Sequence, residues 1–208
     1  MSSDRQYAAF FYGTLMHPEI LKRVIGNDGT HLKICSAILL DYTRHQIKHA
    51  DYPAVLPYSK SKALFNRELS PEEKSVRGSL VTGLSESDVR LLDVFEGDEY
   101  TRERVPVHPI SAYSTLSPAP RTPHAIPAAV PHSHSAASLP PPVMAHTYIW
   151  CQPPAQLTPS LWSFEEFVAK NAWKWVGAGA AGNPDFLEVD KRREMGGFIT
   201  RCGVRGSL

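Results

Sequence analysis

The chain has 208 residues, a 42% share of hydrophobic side chains and a net charge of +1. Those figures suit a single globular domain with an appendage, and they exclude the basic field expected of a nucleic-acid or anionic-membrane binder. No apolar run approaches the roughly 20 residues of a spanning helix, and the N-terminus lacks a signal peptide's charged start and apolar core. Three dispersed cysteines (Cys35, Cys151 and Cys202) fit a reduced compartment better than a disulfide framework. The expectation is a cytoplasmic protein.

Residues 7–12 form a hydrophobic run that reads as a strand, and FFYGTL (residues 10–15) carries it into a tight glycine turn. Pro18 suits the first position of a helix over 18–25, with Ile20, Leu21, Val24 and Ile25 on one face and Gly26 as the stop. Residues 31–42 are strand-like, and 52–57 are extended because two prolines disfavour helix. A strand spans 76–84. Ser85 to Asp88 form a capping box that opens a helix carrying Val89, Leu92 and Phe95 on its apolar face, stopped by Gly97. Residues 100–107 alternate and carry charges, so this strand is partly exposed. Another strand covers 145–150.

Residues 118–142 stand apart. They hold eight of the 18 prolines and one charged side chain, Arg121. Such a tract cannot repay its ordering entropy by burial, so it reads as a flexible Pro/Ala/Ser-rich insertion at about 114–144, the enlarged connection of a hairpin. Its histidines (His124, His132, His134) belong to that loop rather than to a metal tract. A second capping box, Ser163 to Glu166, opens a helix with a Trp162–Phe167 hydrophobic staple; Phe164, Phe167, Val168, Ala172 and Trp175 form its stripe. Residues 177–182 match G-x-G-x-x-G, but they follow a helix instead of linking a strand to one, so they are no dinucleotide fingerprint.

One carboxylate stands out. Glu96 closes the helix before Gly97, facing the negative end of the helix dipole among Asp93, Asp98 and Glu99. Both effects make ionisation harder and the group a better base near neutral pH. Spacing alone does not select Glu96 over its acidic neighbours. The turn at Tyr12, Gly13, Thr14 and Leu15 can present backbone N–H groups to an anion or a carbonyl oxygen. Arg102 and Arg104 share a strand face and could bind a carboxylate. The histidines and cysteines show no metal-ligand spacing, and no nucleophile elbow is present.

FFYGTLMHPEIL, YPAVLP, VRGSLVTGL, LLDVFEGDEYTRERVPV and YIW, in that order, resemble the γ-glutamylcyclotransferase-like superfamily, and its AIG2-like branch most closely. The resemblance covers residues 7–108 and 145–175; residues 177–208 are a loosely matched extension. It implies an α+β fold, a small mixed β-barrel with flanking helices. It implies a catalytic acid/base at Glu96 and a substrate cavity lined by Tyr12, Gly13, Thr14 and Leu15, with Met16 and His17 at the rim. Pro53, Tyr100 and Arg102 complete the implied site. The implied reaction cyclises a γ-glutamyl amine or peptide to 5-oxoproline and needs no cofactor or metal. The implied partner is that small molecule, with neither nucleic acid nor membrane. Two alternatives stay open: a non-catalytic module binding a small ligand, and an enzyme of the same fold acting on a different, specialised-metabolite substrate.

Overall fold

The computed structural model describes residues 6–116 and 139–170. In chain order the strands are β1 (Tyr7–Phe11), β2 (Lys33–Leu40), β3 (Tyr42–Ile47), β4 (Pro53–Pro57), β5 (Ser75–Leu84), β6 (Tyr100–Pro109), β7 (Ser114–Thr115), β8 (Val143–Trp150) and β9 (Leu157–Leu161). The helices are α1 (Pro18–Ile25), the one-turn α2 (Tyr58–Ser61), α3 (Glu86–Glu96) and α4 (Phe164–Lys170).

Five strands close on themselves. β1 lies between β5 and β8, β6 pairs with β8, β2 pairs with β6, and β2 returns to β5. All these pairs are antiparallel except β1 with β8. The result is a closed mixed barrel with flanking helices, the architecture the sequence implies. Alternation along the strands separates two cores. Phe10, Leu39, Leu80, Val107 and Ile149 pack in one, while Ala9, Phe11 and Val81 turn the other way to meet α1, α3 and α4 through Ile20, Leu21, Leu92 and Phe167. A smaller sheet, ordered β4-β3-β9, stands beside the barrel.

Several elements follow their local signals closely. α1 begins at Pro18 and ends where Gly26 takes the left-handed conformation, φ 69°. At α3, Ser85 Oγ accepts from the Asp88 amide (3.1 Å) and Asp88 Oδ2 accepts from the Ser85 amide (2.9 Å), a complete capping box. At α4, Ser163 Oγ accepts from the Glu166 amide (3.3 Å), but its hydroxyl donates to Glu165. Trp162 and Phe167 form the staple, with ring centroids 5.7 Å apart.

Two expectations are corrected. The run at 31–42 is not one strand: Asp41, with φ 62°, turns the chain from β2 into β3. The core also reaches into the Pro-rich segment as the sequence delimits it. β7 pairs with β2, Leu116 is buried, and β8 starts at Val143. β6 and β8 are hairpin partners as expected. Residues 117–138, including the three loop histidines, lie outside the described residues. So do Ala172, Trp175, the G-x-G-x-x-G stretch, the rest of the 177–208 extension and Cys202. Among the described residues, no helix is long and apolar enough to cross a membrane.

Candidate active site

The site is assembled from five elements, β1, α3, β4, β6 and β8. β1 runs into a 3-10 turn, Thr14–Met16, through Gly13. α3 ends at Glu96, and a second 3-10 turn, Gly97–Glu99, hands the chain to β6 at Tyr100. β4 contributes Pro53, and β8 contributes Tyr148.

Glu96 is half-buried at this junction. Burial is the main cause that pushes its carboxyl up to about 8, and the charges of Glu99 and Asp93 push in the same direction. Lost hydration therefore outweighs the like-charge effect that the sequence suggests. Three tyrosines surround it electrostatically. Tyr12, Tyr100 and Tyr148 all have hydroxyls raised above the ordinary phenol range, chiefly by burial, and the Glu96 charge adds to each. A neutral phenol adds no charge beside a carboxyl group, and its oxygen can still accept a hydrogen bond.

Each phenol is fixed by a partner. Tyr12 donates to the carbonyl of Tyr148. Tyr100 donates to the carbonyl of Pro53 (2.9 Å) and packs edge-on against Trp150, 5.4 Å between centroids. Tyr148 donates to Asp93 Oδ1 (2.9 Å), and the same oxygen takes Arg102 Nε at 2.8 Å. Tyr52 donates to Glu99 Oε2 (3.0 Å). The carboxylate that Arg102 binds is thus the protein's own. Asp93 and Glu99 are both engaged, which singles out Glu96 as the buried carboxyl with a strongly raised pKa.

The glycine turn approaches the same place. A Cβ on Gly13 would meet Pro53 Cγ at 2.8 Å and Cδ at 2.9 Å, so only glycine lets the turn pass this close to β4. The Met16 amide returns to the carbonyl of Gly13 (3.0 Å). The first amides of such a turn, those of Thr14 and Leu15, have no acceptor within it. The side chains of Leu15 and Met16 enter the core with Ile20 and Leu21, so Met16 is not at a rim. His17 precedes Pro18 as the cap of α1, and burial lowers its imidazole pKa. Its Nδ1 is buried without a hydrogen-bond partner among the described residues.

Sequence reasoning missed Asp93, Tyr148 and Tyr52 as partners here, and also Arg44, whose Nη1 donates to the carbonyl of Tyr12 (2.8 Å). Tyr148 faces Arg102 across the β6–β8 ladder, a register that cannot be known before the strands are paired. No local signal marked Arg44, since residues 43–46 of β3 are all polar. Among the described residues, no group of three His, Cys, Asp or Glu side chains could hold a metal ion.

The family model for gamma-glutamyl cyclotransferase, AIG2-like, matches residues 9–163. The chain belongs to the gamma-glutamyl cyclotransferase, AIG2-like family. The matched range carries both the glycine turn and Glu96. AIG2-like protein C of Arabidopsis thaliana is 29% identical over 107 residues, 51% of this chain and 53% of that protein. The chain thus spans about half the length of that relative. Protein AIG2 C of Arabidopsis thaliana is 23% identical over 176 residues, 84% of this chain and 81% of that protein. Among solved structures, the solution structure of At3g28950.1 from Arabidopsis thaliana has a TM-score of 0.50 at 21% identity, covering 100% of this chain and 96% of that one. That likeness places this AIG2-like chain in the same fold.

Proposed function

We propose that this protein is a γ-glutamyl cyclotransferase-type enzyme with Glu96 as its general acid/base. The observation that carries the reading is a half-buried carboxyl raised to about 8, coupled electrostatically to Tyr12, Tyr100 and Tyr148, with the glycine turn running on from Tyr12. The family match supplies the class of chemistry.

In this reading a γ-glutamyl donor enters with its α-ammonium toward Glu96. The ionised carboxylate takes one ammonium proton, and the freed amine attacks the γ-carbonyl carbon. The carbonyl π electrons move to oxygen, and the resulting oxyanion accepts hydrogen bonds from the Thr14 and Leu15 amides. Collapse expels the amine, whose nitrogen takes the proton held by Glu96, and the ring nitrogen's surplus proton returns to the carboxylate or to solvent. The products are 5-oxoproline and the released amine. The nucleophile belongs to the substrate, so holding the chain in a ring-forming shape supplies much of the rate. Tyr12, Tyr100 and Pro53 form the wall that imposes this shape. Arg102 acts at one remove by anchoring Asp93 and Tyr148.

The test is 5-oxoproline release from glutathione, γ-glutamyl amino acids and γ-glutamyl-ε-lysine, comparing wild type with Glu96→Gln. The expected result is release from at least one donor that falls by at least about 10²-fold in the variant. Full turnover by a folded Glu96→Gln protein would remove Glu96 from the role. Silence from wild type on every donor would turn the reading toward ligand binding or a different substrate.

A further inference from the structure

Arg44 stands on β3, outside the barrel, yet its guanidinium reaches into the start of the glycine turn. Nη1 donates to the carbonyl oxygens of Tyr12 (2.8 Å) and Arg77 (3.2 Å). The Tyr12 carbonyl follows the end of β1 and the Arg77 carbonyl lies in β5, both just beyond the point where the β1–β5 ladder stops at Phe11 and Ser79. A side chain from the neighbouring sheet therefore supplies donors where the next rung of the barrel would be.

The placement is built on purpose from several sides. Arg44 lies over the Trp162 ring, 5.0 Å from its centroid. Trp162 is itself held by Nε1 donating to the carbonyl of Asp51 (3.0 Å) and by its amide donating to the carbonyl of Arg44 (3.0 Å). Burial lowers the guanidinium pKa only to about 10, so the group is cationic throughout the neutral range; Glu165 and the Tyr12 hydroxyl face it and oppose that fall. Its direct partners in the turn are neutral carbonyls rather than a carboxylate.

We propose that Arg44 is a positioning residue for the Gly13–Leu15 turn. Its hydrogen bond fixes the plane of the Tyr12–Gly13 peptide, from which the turn amides take their direction. A cation bound to that carbonyl also polarises the peptide and strengthens the hydrogen-bond donors that follow it. This inference rests on the cyclotransferase reading for its effect on rate, but not for its effect on the turn.

The experiment therefore has two readouts on the full chain. The first is the amide ¹H–¹⁵N shifts of Gly13, Thr14 and Leu15 in wild type, Arg44→Gln and Arg44→Lys. The second is kcat and KM on whichever γ-glutamyl donor releases 5-oxoproline. Arg44→Gln is expected to move the three turn amides and to lower kcat by about 10²-fold with a smaller change in KM, as misplacement of a positioned group does. Arg44→Lys keeps the charge and is expected to recover part of both; it also serves as the reading should Arg44→Gln fail to fold. Trp162→Leu, which removes the aromatic face but leaves both hydrogen bonds, is expected to move the turn amides less. Turn amides unchanged in a folded Arg44→Gln protein would overturn the proposal, whatever the activity. A wild type inactive on every donor would instead overturn the cyclotransferase reading, with the amide shifts still deciding the role of Arg44.

Discussion

At the scale of single residues the chain concentrates its unusual chemistry at Glu96. A carboxyl raised to about 8 is protonated over much of the neutral range, whereas accepting an ammonium proton requires its ionised form. The expected kcat/KM therefore climbs about tenfold per unit as pH approaches 8 and bends there. A profile flat between pH 6 and 9 would deny the buried base. The same shift has a stability consequence of definite sign. The folded state holds this proton more tightly than the unfolded chain does, so stability falls as pH rises from the unfolded value near 4.5 through 8. Glutamine at this position has no such dependence. Relative to wild type, Glu96→Gln should gain about 4–5 kcal/mol between pH 4 and pH 9, read from thermal or urea unfolding at the two pH values. Glu96 was legible as a candidate because helix end, glycine stop and acidic neighbours are all local. Local spacing did not select it over Asp93 and Glu99; the resemblance did, and the structure adds that Tyr148, Arg102 and Tyr52 engage those two.

At the scale of elements, α3 carries Glu96, the proposed base, at its last residue and is capped at its start. Ser85 and Asp88 cap one another, and Asp88 also accepts from Asn27 Nδ2 at 2.8 Å and meets His31 Nε2 at 3.2 Å. Ser85→Ala removes the acceptor for the Asp88 amide and should cost about 1 kcal/mol, a fall in Tm of roughly 2–4 °C. Turnover should survive, since the far end of the helix is held by other contacts; a calorimetric scan paired with the release assay checks both. Capping boxes were readable because they are complete within four residues. β3 and β9 escaped notice for the opposite reason. β3 follows β2 after the single left-handed residue Asp41, and its Arg44 looks like surface until the fold sets it against Tyr12 and Trp162. β9 contains Pro159, which argues against a strand until β3 is present to pair with it.

At the scale of the whole molecule, the barrel is unevenly sewn. β2 and β5 share eight register pairs from Lys33↔Thr82 to Leu40↔Ser75, whereas β2 and β6 share only Ala37↔Pro109 and Ile38↔His108, extended by the Ile110 amide donating to Ser36. Native-state hydrogen exchange should find the Ile110 amide faster than the central amides of β2 and β5, because a short seam opens without the rest. Equal protection would mean that the barrel opens only as a unit. The closure by β8 has a further consequence, in the order of events during folding. β1 pairs in parallel with a strand about 136 positions later, through Ala9↔His146, and Tyr12 is tied to Tyr148 across the same gap. Contacts so distant along the chain are the slow ones to form. On a ribosome, Glu96 and the glycine turn would both emerge well before β8 does, and they would wait, unassembled, until it arrives. The candidate site is in that sense completed only once β8 has been made.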